Sequence, residues 1–221
     1  MNVTDALNSR ASIRAFKPDP IARETIRAIM EAATRAPSWA NTQPWEIYIA
    51  AGEPLERLRR GFLDRFHEGK PRALDMPAPA QWPEASKQRM EALMAGRTRL
   101  AAPGTAGKYP RQVMAEWNYR FFGAPVVVYL CMERGLSTWS LFDIGLLAQS
   151  IMLAAQEHGV DSIPAVMLAS YPDLIRTELG IPQDQLVLFG IALGHRDPQA
   201  PQNQLRTTRR PLEDVVRMKG L

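Results

Sequence analysis

The side chains most suited to chemistry lie near the N-terminus, where Arg10, Ser12 and Arg14 alternate with smaller or apolar residues. In an extended segment, positions i, i+2 and i+4 share one face, so these three side chains point the same way. Two guanidinium groups and a hydroxyl on one face suit an anion, whose charge would offset the repulsion between the arginines. A solvated edge without a ligand is the alternative.

A second polar segment covers residues 36–45, reads APSWANTQPW, and separates a helical pattern from a strand pattern. Its prolines cannot donate to a sheet, and its serine and asparagine side chains suit turns. Trp39 and Trp45 offer flat faces with one N–H each, so the loop can lie along a planar ligand with polar edges. On its own, however, the segment favours a structural helix-to-strand turn, because short motifs often occur without function.

A third segment is the basic run from Arg206 to Pro211. Together the three segments match what flavin mononucleotide (FMN) needs: arginines for the phosphate, Ser and Asn for the ribityl chain, and a flat bed with a positive group near N1 of the ring. The polar partners and the bed would come from a larger set: Ser12, Ser38, Asn41, Trp39, Pro164 and Ala165.

Other kinds of chemistry lack their usual motifs. There is no Gly-x-Gly-x-x-Gly segment after a strand pattern, no phosphate-binding Gly-Lys-Ser/Thr loop, and no evident Ser/His or Cys/His nucleophile. The three histidines are far apart, and Cys131 is the only cysteine, so we expect no metal site and no disulfide. Because Cys131 lies in an apolar run, we expect a buried, inert thiol.

The composition predicts one domain. The chain has 221 residues, of which 46% are hydrophobic, and its net charge of +4 suits an anionic ligand. No block of Lys and Arg is dense enough to indicate nucleic acid. We see no signal peptide and no apolar run of membrane-spanning length, so we expect a cytoplasmic protein without a membrane partner.

The elements that must position these residues follow from periodicity. Strands are expected at Trp45–Ala50, Pro125–Met132, Ile163–Leu168 (with Pro164 at its start) and Leu186–Ala192, where Gly190 would mark a close approach. Helices are expected before Arg10, around Ile26–Ala33, and at Leu55–Phe66, Glu84–Leu100, Arg111–Phe122, Ser140–His158 and Leu174–Leu179.

Two regions do not fit a simple core. Residues from about 69 to 122 form a proline-rich excursion, which we interpret as a lid with an apolar stripe of Met90, Leu93 and Met94; a passive packing arm is the alternative. The tail from about 195 to 221 is polar, so it either wraps a partner subunit or stays loose.

The helix at 140–158 is apolar nearly all round, which indicates a central helix or a subunit interface.

The three segments, in this order, resemble the FMN-dependent nitroreductase family, NAD(P)H-dependent and of the oxygen-insensitive type. The resemblance covers most of the chain and rests on Arg-x-Ser-x-Arg at 10–14 and Pro-Ser-x-x-Asn-x-Gln-Pro-Trp at 37–45. It implies that Arg10 and Ser12 hold the phosphate side, that Arg14 approaches the N1/O2 edge, and that Pro37, Ser38, Trp39 and Asn41 contact the flavin of the other subunit.

Weaker matches complete the implied site. Asn118 resembles an asparagine that meets the flavin, Pro164 and Ala165 fall where backbone lies against the ring, and Arg209, with Arg206 nearby, matches the C-terminal phosphate arginine. Thr207 stands where some members carry a lysine. The lid would shape the acceptor pocket with its aromatic residues: Tyr109, Trp117, Phe121 and Phe122.

By resemblance we expect an α+β nitroreductase-like fold, with a mostly antiparallel sheet flanked by helices and a domain-swapped C-terminal arm in a homodimer. The implied activity takes a hydride from NADPH or NADH and reduces nitroaromatic or quinone-like acceptors by a ping-pong mechanism. Ene-reduction and reductive dehalogenation are alternatives within the fold. A flavin-binding sensor or carrier without turnover is a different class.

Overall fold

The computed structural model describes residues 1–100 and 110–220, so the predicted pocket residue Tyr109 lies outside the described residues. Within them, four strands are flanked by helices. The strands are β1 (Glu46–Ala51), β2 (Val126–Glu133), β3 (Asp161–Ala165) and β4 (Gln185–Gly194). The helices are α1 (Val3–Ser9), α2 (Arg23–Ala33), α3 (Gly52–His67), α4 (Glu84–Arg99), α5 (Pro110–Tyr119), α6 (Thr138–Glu157), α7 (Pro172–Leu179) and α8 (Leu212–Val215).

The strands form one sheet in the order β1-β2-β4-β3, and each neighbouring pair is antiparallel. This confirms the expected α+β class with an antiparallel sheet. The third strand needs a correction, because it begins at Asp161 and ends at Ala165, which places Pro164 inside the strand. Proline is tolerated there because β3 is an edge strand and does not need every backbone N–H for pairing.

Both faces of the sheet are covered, as the continuous apolar run of β2 indicates. Its alternate residues Tyr129 and Cys131 join a core with helix α3, whereas Val128 and Leu130 join a second core with helices α2 and α6. The expectation for Cys131 is confirmed, since its thiol is buried and burial raises its pKa to about 12.

Helix α6 buries one face against the sheet and leaves large apolar side chains on the other. Ile144, Leu147 and Ile151 are buried, but Trp139 and Phe142 are more than 60% exposed. By length and composition this helix is apolar enough to cross a membrane, so the expectation that no segment reaches that length is wrong. A core helix packed on a sheet meets the same criterion, and the expected absence of a membrane partner stays a prediction.

The excursion after α3 is tied to the main body through Asp75. Its carboxylate accepts from the backbone N of Val187 at 2.8 Å, pairs with the buried Arg176, and lies 3.3 Å from Arg134. Helix α4 then departs from the prediction, because Met90 of the expected apolar stripe is 46% exposed. The helix lies instead against the C-terminal tail, where a Cβ on Gly96 would come within 3.1 Å of Leu205.

The C-terminal tail begins by packing on its own chain. Asn203 is buried and fastens the tail to the N-terminal segment, because its Oδ1 accepts from the backbone N of Arg14 at 2.7 Å and its Nδ2 donates to the backbone O of Ala15 at 2.7 Å. From Arg206 to Gly220 every residue is exposed. The part free to reach a partner therefore starts at Arg206, about ten residues later than expected.

Candidate active site

A cavity of about 200 Å³ opens beside β3. Its walls come from five parts of the chain: the N-terminal segment, α4, α5 with the following turn, β3, and the start of the tail. Six of the residues singled out from the sequence line this cavity: Arg14, Trp117, Asn118, Phe122, Pro164 and Ala165. The remaining lining residues are Arg97, Leu100, Met114, Ile163, Gln202 and Leu205.

The β3 wall depends on a glycine in the neighbouring strand. Pro164 and Ala165 pair with Ile191 and Gly190 of β4. A Cβ on Gly190 would lie only 2.7 Å from the Cβ of Leu168, in the 3₁₀ turn that follows β3. The expected close approach is therefore confirmed, and it lets the chain turn directly after the cavity wall.

Arg14 is held rigidly at the cavity by its backbone and its side chain. The buried Asn203 accepts its backbone N–H, and Nη1 of Arg14 donates to the backbone O of Ser12 at 2.9 Å. Burial, and secondly the positive charge of Arg97, lowers the pKa of Arg14 to about 10. Sequence reasoning missed Asn203, whose tail position offered no signal of contact with residue 14.

Arg97 is a second guanidinium in the same cavity, and the sequence analysis missed it. Its Nε is buried and has no hydrogen-bond partner among the described residues, and burial lowers its pKa. The sequence did contain one indication of this position. Arg97 follows Leu93 by four residues and Met94 by three, so it lies on the same face of α4 as these two apolar residues.

A strained turn closes the side of the cavity next to α5. Phe121 and Phe122 have φ of 51° and 57°, in the left-handed region that costs such residues roughly 1–3 kcal/mol each. Arg59 braces this turn by donating to the backbone O of Arg120 and of Ala124, each at 3.0 Å. The turn aims Phe122 at the cavity, as its place in the lining shows.

Phe121 requires a correction. It is fully buried and packs on Phe62 with the ring centroids 5.1 Å apart, so it belongs to the core and does not line the cavity. The reason is the turn itself, because consecutive left-handed residues send neighbouring side chains in different directions. Asn118, one helical turn earlier, does line the cavity, and its Nδ2 donates to the backbone O of Met114 at 2.5 Å.

A basic groove lies between α4 and the tail, next to the cavity, and Leu205 lines both. It includes Arg206 and Arg209, and Nη1 of Arg209 donates to Oγ1 of Thr207 at 2.8 Å. Burial, and secondly the positive charge of Arg209, lowers the pKa of Arg10. The first and third segments therefore adjoin, because Asn203 binds the backbone N of Arg14 and Leu205 lines both the cavity and the groove.

The second motif lies elsewhere. Pro37, Ser38 and Trp39 line an open apolar surface with Trp139 and Phe142 of α6, and no residue of the segment 37–45 lines the cavity in the described part of this chain. The two indoles meet edge to face, with centroids 5.6 Å apart.

Strain and specific hydrogen bonds hold this loop. Ala40, Asn41 and Gln43 have φ between 46° and 60°, although none is glycine. The backbone N of Trp39 donates to the buried carboxylate of Asp143 at 3.2 Å, and the backbone N of Gln43 donates to Oγ of Ser38 at 2.9 Å. Strained loops of this kind concentrate at functional sites, because the surrounding structure has to compensate their cost.

Comparison with known proteins gives a consistent result. The model of the nitroreductase family matches residues 7–195. The chain is 32% identical to nitrobenzene nitroreductase of Ectopseudomonas oleovorans, over 97% of this chain and 95% of that protein. It is 32% identical to a 4-nitrobenzoate reductase of Pseudomonas putida, over 96% and 93%.

The fold agrees with these relatives. The crystal structure of FMN and NADPH-dependent nitroreductase NfnB from Sphigopyxis sp. strain HMH superimposes with a TM-score of 0.94 at 31% identity, over the whole of both chains. With motifs, fold and family model in agreement over nearly the full length, this chain belongs to the nitroreductase family.

Proposed function

We propose that this chain is an FMN-dependent oxidoreductase that takes a hydride from NADPH or NADH and reduces nitroaromatic or quinone-like acceptors by a ping-pong mechanism. The observation that carries the proposal is the cavity beside β3, where a partly buried guanidinium, an asparagine and flat apolar walls converge. The names of similar proteins, which include nitrobenzene and 4-nitrobenzoate reductases and an NADPH-dependent NfnB, support this choice of donor and acceptor.

The residues present fit FMN. The cavity offers Pro164 and Ala165 as a bed for a planar ring and Arg14 as the positive group beside it. Arg206 and Arg209 line the adjoining basic groove, where they would hold the phosphate together with Arg10. When bound, FMN would supply the redox chemistry by accepting a hydride and passing on two electrons. No acidic residue lines the described part of the cavity, so its charge favours an electron-rich ligand.

The chain's own residues would bind the flavin and the acceptor, orient them, and exclude water from the site. Arg14 would stabilise negative charge at the N1/O2 edge, and its effect is strengthened because Asn203 and Ser12 fix it in a partly buried position. Asn118 would donate to or accept from the ring edge. Trp117 and Phe122 would exclude water and present flat faces to an aromatic acceptor.

The site would be completed in a homodimer. The loop at 37–45 is strained and held by Asp143, yet lies away from the cavity of its own chain, which is what a loop contributed to the partner's site would do. The exposed Trp139 and Phe142 beside it would form the interface, and the exposed segment 206–220 would serve as an arm on the partner. We place this dimer in the cytoplasm, where Cys131 would remain a free thiol.

The experiment is a visible absorbance spectrum of the purified protein under anaerobic conditions, first with NADPH or NADH and then with nitrobenzene. We expect flavin bands that bleach with the nicotinamide donor and return with the nitro compound. Bands that bleach but return only with an enone or a haloaromatic would favour the ene-reductase or dehalogenase alternatives. Bands that never bleach would favour a sensor or carrier, and no band after FMN is added would refute the proposal.

A further inference from the structure

Two arginines share one cavity, and Arg14 can by itself supply the positive group that the N1 edge of a bound flavin requires. Arg14 comes from the N-terminal segment and is fixed to Asn203 and Ser12. Arg97 comes from α4, and its Nε is buried without a partner among the described residues. A buried donor without a partner is costly, so it indicates a ligand that completes its hydrogen bonds.

The surroundings of Arg97 define the chemistry of that ligand. The cavity around it is lined by Trp117, Phe122 and Leu205, and no acidic residue lines its described part. A guanidinium at the edge of an aromatic and aliphatic cavity matches a planar aromatic ring that carries a carboxylate, which can accept two parallel hydrogen bonds from the same guanidinium.

The position of helix α4, which carries Arg97, also indicates that Arg97 contacts the acceptor instead of the flavin. Helix α4 belongs to the excursion of the chain, and its stripe faces the tail at Gly96 and Leu205 instead of the sheet. The proposed flavin bed is on β3, a different wall of the cavity. Binding residues are found disproportionately on connecting segments that a rigid scaffold positions.

We propose that Arg97 is the recognition residue for an anionic substituent of the acceptor, and that the preferred acceptors are nitroaromatic carboxylates. The inference rests on the proposed function and specifies its substrate class. The positive charge of Arg14 nearby adds to the attraction, and the repulsion between the two arginines, which contributes to the lowered pKa of Arg14, is relieved when the carboxylate binds.

The first test compares 4-nitrobenzoate with nitrobenzene, which has the same ring and nitro group but no charge. For the Arg97→Met variant we expect kcat/KM for 4-nitrobenzoate to fall roughly ten- to a hundredfold and that for nitrobenzene to stay within about twofold. Arg97→Lys keeps the charge but loses the bidentate geometry, so its kcat/KM for 4-nitrobenzoate should lie between those of the wild-type protein and Arg97→Met. Lys87→Met removes a positive charge from an exposed position of the same helix, outside both the cavity and the basic groove, and should leave the ratio of the two kcat/KM values unchanged.

The second test needs no turnover. Benzoate is titrated calorimetrically into the FMN-loaded protein, and its dissociation constant should rise at least tenfold in Arg97→Met but not in Lys87→Met. An unchanged constant, or an unchanged ratio of the two nitro substrates, would overturn the inference. So would loss of FMN in Arg97→Met with the ratio intact, because Arg97 would then serve the cofactor. Failure of the proposed function is distinct: NADPH and NADH would not support reduction of nitrobenzene by the wild-type protein.

Discussion

At the residue scale, the cavity contains two arginines that the fold has partly removed from water. Arg14 loses hydration on folding, and the lowered pKa shows that its charged form is less favoured than in solution. The chain tolerates this cost because Asn203 and the backbone O of Ser12 hold the residue in place. A fixed, poorly hydrated cation interacts strongly with any anionic ligand that enters, since little solvent competes with it.

A prediction follows for Arg14→Ala. The variant keeps the backbone N–H that Asn203 accepts, so the fold should survive, but the charge beside the proposed ring disappears. Since hydrogen bonds to charged groups contribute about 1.5–3 kcal/mol, FMN should bind roughly ten- to a hundredfold more weakly. The measurement is fluorescence titration of the flavin-free protein with FMN. Arg27→Ala, at a mostly exposed surface position, is the control. Equal affinity of the two variants for FMN would show that Arg14 does not contribute to the site.

At the element scale, the excursion that carries α4 is fixed to the core by several contacts, and those of Asp75 include a buried ion pair. Asp75 connects the loop after α3 to helix α7 and strand β4, because it binds both the side chain of Arg176 and the backbone N of Val187. The side chains of Asp75 and Arg176 are only 10% and 6% exposed. A buried pair of this kind does little for net stability, but loss of one partner leaves the other charge uncompensated.

We therefore expect Asp75→Asn to lower the free energy of unfolding by about 3–5 kcal/mol, as seen when one member of a buried ion pair is removed. Urea denaturation followed by circular dichroism measures the change. The matched control is Asp173→Asn, which breaks the pair with Arg65 at a site where the aspartate is 61% exposed, and should cost less than about 1 kcal/mol. Similar losses in both variants would show that Asp75 is not an anchor.

At the scale of the whole molecule, the three motifs are divided between two surfaces. The first and third meet at the cavity and the basic groove, whereas the second lies with Trp139 and Phe142 on a separate apolar surface. Large apolar side chains gathered on one exposed face usually mark an interaction site. A dimer would cover this face and deliver the strained loop to the partner's cavity.

Phe142→Glu tests this arrangement, because a carboxylate at a buried interface would have to lose its hydration. We expect sedimentation velocity to report a monomer of 24.7 kDa and the FMN content of the purified protein to fall with it. Met90→Glu, which changes an exposed apolar residue on α4, should leave the mass and the flavin unchanged. A Phe142→Glu dimer that retains its FMN would contradict both the interface and the shared site.

Much of this protein was determined by the sequence alone. Periodicity identified the strands and long helices. A buried strand such as β2 is a continuous apolar run, and in a helix such as α3 the apolar residues recur every three to four positions. The order and spacing of the Arg-x-Ser-x-Arg and Pro-Ser-x-x-Asn motifs indicated the family. These are local patterns, and each is written within about ten residues of chain.

Only the tertiary structure decided which of these side chains meet. Asn203 reaches residue 14 from 189 positions away, and Arg97 enters the cavity because α4 lies on the tail instead of the sheet. Phe121 and Phe122 are adjacent and alike in type, yet one is core and the other lines the cavity, since two left-handed backbone angles separate them. Long-range contacts and turn angles depend on packing across the whole chain, which no local pattern records.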